Sequence, residues 1–455
     1  MVGLRRLITM QLAVEAAAAG AESERVESRS TASKSSTSSS TTTDSVVLLA
    51  VLGLFVGVGI GTSAGAPLFL ADLAVGLACM VRLVERRSIS ESPARPFASR
   101  FPRGSIQWWV AALVTTWLAA LAIHPTTVGA ISTARFLALG ITVPALIRSI
   151  QTRPARTGRL LAMAACAEAT VVLAQSFLGH RIGLGALEAP EPFRSYGSHA
   201  LAPLGTIHQA DLHGWFLASI GSLVALLVTR RRLATGWGVV TLALGVASAV
   251  VSYRRVAIVA WGGVGAWLLL TAVFRRSQRR RAGALALAMV FSGLILAPKT
   301  WPGWIQRATT STADGRSTSI DSGRSDLLPQ AVELFKNAPL TGVGPIRYYE
   351  ALKHRYPTLR NPTVVHVVPV LLIVDGGIFV GISLVGLAVA LGRRLRRRRL
   401  GVAANLALFG IGSPLIALSM LTPLPVMYAI GPLLVALNVA TLVVAAMSES
   451  RATDQ

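Results

Sequence analysis

Residues 322–381 read SGRSDLLPQAVELFKNAPLTGVGPIRYYEALKHRYPTLRNPTVVHVVPVLLIVDGGIFVG. As far as Thr363 the stretch is polar and broken by proline and glycine. It then passes through His366 into an apolar run long enough to cross a bilayer core, which takes roughly 20 residues. The stretch holds most of the residue types suited to chemistry, and on either side of it apolar runs follow one another at short intervals. The chain therefore reads as a set of membrane spans that hold this polar interval at one membrane face.

Composition agrees. The 455 residues are 53% hydrophobic and 14% charged, with mean hydropathy +0.58, values that suit a polytopic membrane protein rather than a soluble domain. A net charge of +24 raises nucleic acid as a partner, but the arginines sit in short clusters between apolar runs, the pattern of positive-inside topology. Nucleic-acid binding is set aside on that distribution. Cys79 and Cys166 lie far apart within apolar runs and read as small packing residues, not as a disulfide or metal motif.

Taken in order, residues 1–44 are Ala-rich and then Ser/Thr-rich, and read as a disordered cytoplasmic tail. Spans are expected at 45–63, 66–83, 106–123, 129–148, 159–179, 212–229, 236–252, 255–274, 283–298, 364–392, 402–421 and 425–447. The expected fold is thus an all-α polytopic membrane protein of about 12 transmembrane helices, with a transmembrane domain over 45–447 and a short cytoplasmic tail at 448–455. With that count the arginine clusters beginning at Arg82, Arg148, Arg230, Arg275 and Arg393 all fall on the side of both termini, the cytoplasm. The opposite side receives the HPTTVG turn, the interval 180–211, the corner Tyr253-Arg254-Arg255 and the loop 299–363.

The loop 299–363 reads as irregular chain with short helices, Trp301 and Trp304 suiting a membrane–water boundary. Leu327, Leu328, Ala331, Val332 and Phe335 recur at helical spacing, so Asp326–Lys336 is expected as an amphipathic helix capped by Ser325. Gly342-Val343-Gly344-Pro345 reads as a tight turn; by itself such a G-x-G is no phosphate cradle. His199, His208, Asp211 and His213 cluster in the other long interval, but their spacing fits no zinc pattern and no metal is expected. Arg254 and Arg255 break the positive-inside bias: either they snorkel to headgroups, or they bind an anion, for which guanidinium suits phosphate oxygens. His366 is either a general base or a boundary histidine bonded to a loop carbonyl. Among intramembrane acids, Asp375 suits helix packing or hydrogen bonding, and Glu168 has no evident partner in the sequence.

Together these segments resemble a family. Gly323-Arg324 before a short helix, Asn337-Ala338-Pro339-Leu340-Thr341-Gly342-Val343-Gly344-Pro345, then His366 and Asp375-Gly376-Gly377, are similar to the signature of the O-antigen ligases and polymerases, membrane glycosyltransferases of the GT-C class. Gly205-Thr206 before Asp211 resembles the family's G-T…N segment, and Ser252-Tyr253-Arg254-Arg255 its S-R corner, so the likeness covers about 200–385. Two positions depart: Val367 stands where the family has Asn after the histidine, and Asp211 replaces another Asn.

The resemblance implies transfer of a glycan from a polyprenyl-pyrophosphate carrier to an acceptor hydroxyl on a glycan, lipid or protein, at the outer face of a bacterial plasma membrane. It implies no metal and no cofactor. Arg255 and Arg324, with Arg254 or Arg347, would balance the pyrophosphate's charge; His366 would take the acceptor proton; Asp211 would contact substrate. Two other classes remain open on the residues alone, a transporter or flippase of lipid-linked sugars and a non-catalytic membrane scaffold. The absence of a convincing internal repeat and the collection of candidates at one face favour the enzyme.

Overall fold

The computed structural model describes residues 59–63, 66–69, 106–184, 193–195, 201–203, 205, 210–309, 324–357, 367–397, 408–416 and 430–453. In chain order these form strands β1 (Gly59–Ser63) and β2 (Ala66–Phe69), then helices α1 (Ile106–Ile123), α2 (Thr127–Leu137), α3 (Leu139–Thr152) and α4 (Pro154–Leu178). Strands β3 (Phe193–Ser195) and β4 (Leu201–Pro203) follow, then α5 (Ala210–Thr229), α6 (Thr235–Val251), α7 (Arg255–Phe274) and α8 (Arg279–Thr309). The remainder comprises α9 (Arg324–Asn337), α10 (Tyr348–Arg355), α11 (Val368–Arg397) and α12 (Ile430–Thr453), with a further helical stretch at 408–416.

Among the described residues, 5 helices are long and apolar enough to cross a membrane: Thr127–Thr152, Pro154–Leu178, Arg255–Phe274, Arg279–Gln306 and Val368–Arg393. Shorter apolar helices occupy Trp108–Ile123, Gly214–Thr229, Thr235–Val251 and Leu434–Ala446. These fall on nine of the spans expected from the sequence, in the expected order. The helical stretch 408–416 lies inside a tenth, 402–421.

The first two expected spans need correction. Where 45–63 and 66–83 were to meet as helices, β1 and β2 pair antiparallel, with Ser63 opposite Ala66 and Gly59 opposite Phe69. Gly59, Gly61, Thr62 and Ser63 are weak helix formers, so apolarity alone misjudged this junction. Among the described residues the fold is therefore mainly helical with two small hairpins, the second joining Arg194 to Ala202 in register. The other residues of those two spans, with the tail 1–44, lie outside the described residues.

Caps show why the helices start and stop where they do. Thr126 Oγ1 accepts the Gly129 amide at 3.0 Å to open α2, and Pro154 opens α4 where a missing N–H costs nothing. Gly179 closes α4 in the left-handed conformation, its amide donating to the Gln175 carbonyl.

The largest core is built by α3 to α8 with α12, around Trp215, Phe216, Leu223, Trp261 and Leu268. Glycines let these helices approach: the Trp261 indole lies against Gly221 of α5 and Gly245 of α6, the small-residue packing typical of helices in lipid. Polar links add to it, Asn438 Nδ2 donating to Ser219 Oγ at 2.8 Å and Ser413 Oγ to the Ala260 carbonyl at 2.9 Å. A second group pairs α1 with α11, Trp109 resting on Gly386, and Trp117 Nε1 donates to Thr133 Oγ1 of α2 at 3.0 Å.

Candidate active site at one end of the bundle

The antiparallel course of the spans brings several corners to one end of the bundle. His124, just after α1, has Nε2 3.3 Å from Thr341 Oγ1 of the polar interval. Trp304 at the end of α8 donates through Nε1 to the Val250 carbonyl at 3.0 Å, next to the corner that follows α6. Gln175 at the end of α4 accepts the Gly205 amide at 3.0 Å. At the opposite end Arg281 Nη1 reaches the Val228 carbonyl at 3.4 Å, among the arginine clusters.

The segment Pro339–Pro345 is locked into a break in α11. Gly377 interrupts that helix with φ 79° and ψ −174°, which leaves neighbouring backbone groups without helical partners. The turn supplies them: Val343 N donates to Val374 O at 2.9 Å, Gly344 N to Asp375 O at 2.9 Å, and Ile378 N to Pro339 O at 2.8 Å. Gly342 also has positive φ, 68°, and a Cβ there would run into the Asp375 carbonyl, while one on Gly377 would meet the Leu340 carbonyl. The glycines are required by two backbones in contact.

Asp375 completes the lock. Its side chain is fully buried; Oδ2 accepts the Ile346 amide at 3.0 Å and Oδ1 the Tyr348 amide at 3.1 Å. Tyr348 is the first residue of α10, so Asp375 caps from another helix a terminus whose own preceding residue, Arg347, makes no side-chain cap. Beneath the turn, Leu327, Ala331 and Leu334 of α9, Tyr348 and Leu352 of α10, and Val368, Leu371 and Val374 of α11 form one apolar cluster. On the outer side Glu333 of α9 accepts Arg355 Nη2 at 2.7 Å and the Tyr356 hydroxyl. The Tyr356 hydrogen bond first, and Arg355 second, hold the Glu333 carboxyl below the usual range.

The Ser252–Arg255 corner is built differently. Ser252 ends α6 with its hydroxyl donating to the Ala249 carbonyl at 2.8 Å, and Tyr253 takes φ 52°, a left-handed turn uncommon for a bulky residue. The Tyr253 ring is buried beneath Trp304, centroids 5.7 Å apart, and beside Ala202 of β4. Burial raises its phenol above the ordinary value. This strained residue turns Arg254 inward, where its side chain is 9% exposed and Nε is enclosed by protein. Arg255 begins α7 and is half-buried. Nearby, Gly205, also left-handed at φ 63°, lies flat against Glu168 and Val172 of α4, and Glu168 is completely buried.

The sequence-derived candidates sort as follows. Of the two corner arginines, Arg254 is the more enclosed, whereas the resemblance favoured Arg255. Arg347 pairs with Glu350 at 3.3 Å on an exposed edge, its Cδ alongside Gly344 and His124. Arg324 is the first residue of α9 and Asp211 the second of α5. His366 lies outside the described residues, two positions before α11, as do His199 and His208.

Three expectations shift in detail. The helix α8 runs through Pro298 and Pro302 to Thr309, so the polar interval 299–363 opens on helix. The helix α9 starts at Arg324, ahead of the expected Asp326, and α10 is a second short helix of the interval, to which the sequence reading assigns no bounds. His124 was overlooked, because it sat in a turn treated only as a connector.

Residues 240–385 match the family model described as O-antigen ligase. Over that segment the chain is O-antigen ligase-like. The O-antigen ligase segment runs from α6 into α11 and so contains the buried Arg254, the whole of α9 and α10, and the Pro339–Pro345 turn with its Asp375 lock. Gly205, Asp211, Glu168 and His124 fall outside it, although the resemblance read from the sequence extended to about residue 200. No curated protein matches the chain. The match and the apolar helices together point to a membrane protein.

Proposed function

We propose that the protein moves a glycan from a polyprenyl-pyrophosphate carrier to an acceptor hydroxyl at the extracytoplasmic face of a bacterial plasma membrane, as a ligase or as a polymerase. The observation that carries this reading is the O-antigen ligase match over 240–385, within which Arg254 is a buried guanidinium at the end of a span. Intramembrane cations are costly and are kept where they meet an anion. Both termini lie in the cytoplasm on this account, and no metal or cofactor is required.

In the proposed step the acceptor oxygen bonds to the anomeric carbon as that carbon's bond to the pyrophosphate oxygen breaks. The acceptor proton passes to a ring nitrogen of His366, and polyprenyl pyrophosphate leaves with the bonding electron pair. Arg254, Arg255 and Arg324 balance the charge that develops on it, in a low-dielectric site where fixed cations act most strongly. One displacement inverts the anomeric configuration. Arg347, tied to Glu350, serves the site's rim, and Asp211 serves the acceptor side. Asp211 in place of the family's Asn brings a negative charge there, which suits an acceptor presenting hydroxyl donors.

Cells expressing His366→Ala or Arg324→Ala test the reading. Glycan transfer is expected to be lost, with carrier-linked glycan accumulating and the protein still in the membrane. Normal transfer by both variants would overturn it, and movement of carrier-linked sugar between leaflets by purified protein would support a flippase instead.

A further inference from the structure

We infer that Asp375 is a positioning residue for this transfer: its carboxyl group, through the Ile346 and Tyr348 amides, fixes the body formed by α9, which Arg324 begins, α10 and the first part of α11, which starts two residues after His366 in the sequence. The inference rests on the proposed glycan-transfer reading.

The break at Gly377 divides α11 into two parts. The first part, from Val368 to Gly376, has its side chains Val368, Leu371 and Val374 in the apolar cluster with α9 and α10. The second part continues as the span that packs on α1. Arg324 lies three residues before Leu327, and His366 two residues before Val368, and both of those anchors belong to that cluster. The geometry of this packed unit therefore sets where the start of α9 stands relative to the start of α11.

Apolar packing alone is poorly directional. What fixes the angle of the unit is the polar lock: backbone bonds at Val343, Gly344 and Ile378, and the two amides held by Asp375. The Asp375 bonds are the only ones of these made by a side chain, and they are made at full burial, where geometry is most tightly enforced. Ile346 is itself left-handed, φ 61°, a conformation that the carboxyl group sustains by accepting its amide. Asparagine offers one acceptor and presents an NH₂ to the second amide, whereas glutamate keeps both acceptors one methylene further out.

The test uses full-length protein in nanodiscs with a polyprenyl-pyrophosphate oligosaccharide donor, comparing the parent with Asp375→Asn and Asp375→Glu. Rates are expressed per folded molecule from size-exclusion profiles, and hydrogen exchange is read over residues 339–352. Asp375→Asn is expected to speed exchange there and to lower kcat at least tenfold with donor KM little changed. The acid limb of its kcat–pH profile should move, because the base has changed surroundings. Asp375→Glu should recover part of kcat. Unchanged exchange would show that the lock does not depend on Asp375; faster exchange with unchanged kcat per folded molecule and an unmoved pH limb would show that it does not position the site. Either overturns the inference. Absence of transfer by the parent would instead overturn the proposed function, and this inference with it, while the exchange data still report on the lock. Should Asp375→Asn yield no folded protein, Asp375→Glu with parent-like kcat and pH profile would overturn the inference, and a reduced kcat with a moved limb would support it.

Discussion

At the residue scale the turn before α10 is tied to α11 by the pair of amides on Asp375. Removing the carboxyl with Asp375→Ala leaves the two donors without it, at about 1–3 kcal/mol for each one that stays buried and unsatisfied. Thermal unfolding followed in detergent should therefore show a clear loss for Asp375→Ala, larger than for truncation of exposed Leu328 on α9. Glu333 makes a contrasting case. Its carboxyl is held low by Tyr356 and Arg355, so the contribution to stability is present above its unfolded value and fades as pH falls through the lowered folded value. Glu333→Gln should therefore lower stability slightly at neutral pH, the pair being exposed, leave low pH unaffected, and so flatten the acid side of the stability–pH curve.

At the scale of elements, the turn 339–345 and the broken helix α11 are one object made from two segments. Alanine at Gly377 or Gly342 must accept positive φ and drive its Cβ into facing backbone, so each should cost about 2 kcal/mol or more. Gly140 of α3 faces open space with ordinary helical backbone, and Gly140→Ala should be neutral or stabilising by up to about 1 kcal/mol. Denaturation midpoints of the three variants check the contrast. The sequence signals for these elements differed in kind. Apolar periodicity located α9 and the spans, because burial against lipid or a core leaves a repeating mark in composition. The partnership of Gly342 with Gly377 left no such mark: each read as a local turn or packing glycine, and only their mutual contact explains either. Likewise Glu168 seemed partnerless until the structure set it against Gly205, which lies 37 positions away in the chain.

At the scale of the molecule, alternation of charge and of helix direction gathers His124, the Gly205 turn, the Tyr253–Arg255 corner and the α9–α10 unit at one end. From the sequence, the arginine clusters and span parity lead only to the expectation that these corners share one side. The fold was less legible at 59–69, where a hairpin stands, because mean apolarity does not separate a glycine-rich strand from a helix. Orientation in the membrane is checked by single cysteines and an impermeant maleimide. A cysteine at exposed Lys353 of α10 should label in intact cells, and one at Arg279, the first residue of α8, only after permeabilisation. The central claim is catalysis at that outer end. Its most direct measurement is release of polyprenyl pyrophosphate by the purified protein from a carrier-linked oligosaccharide extracted from the producing cell, with and without that cell's envelope glycolipids and glycans as acceptor. Acceptor-dependent release by the parent, abolished in Arg254→Ala, is the predicted result; no release by the parent, or equal release by Arg254→Ala, would contradict the account.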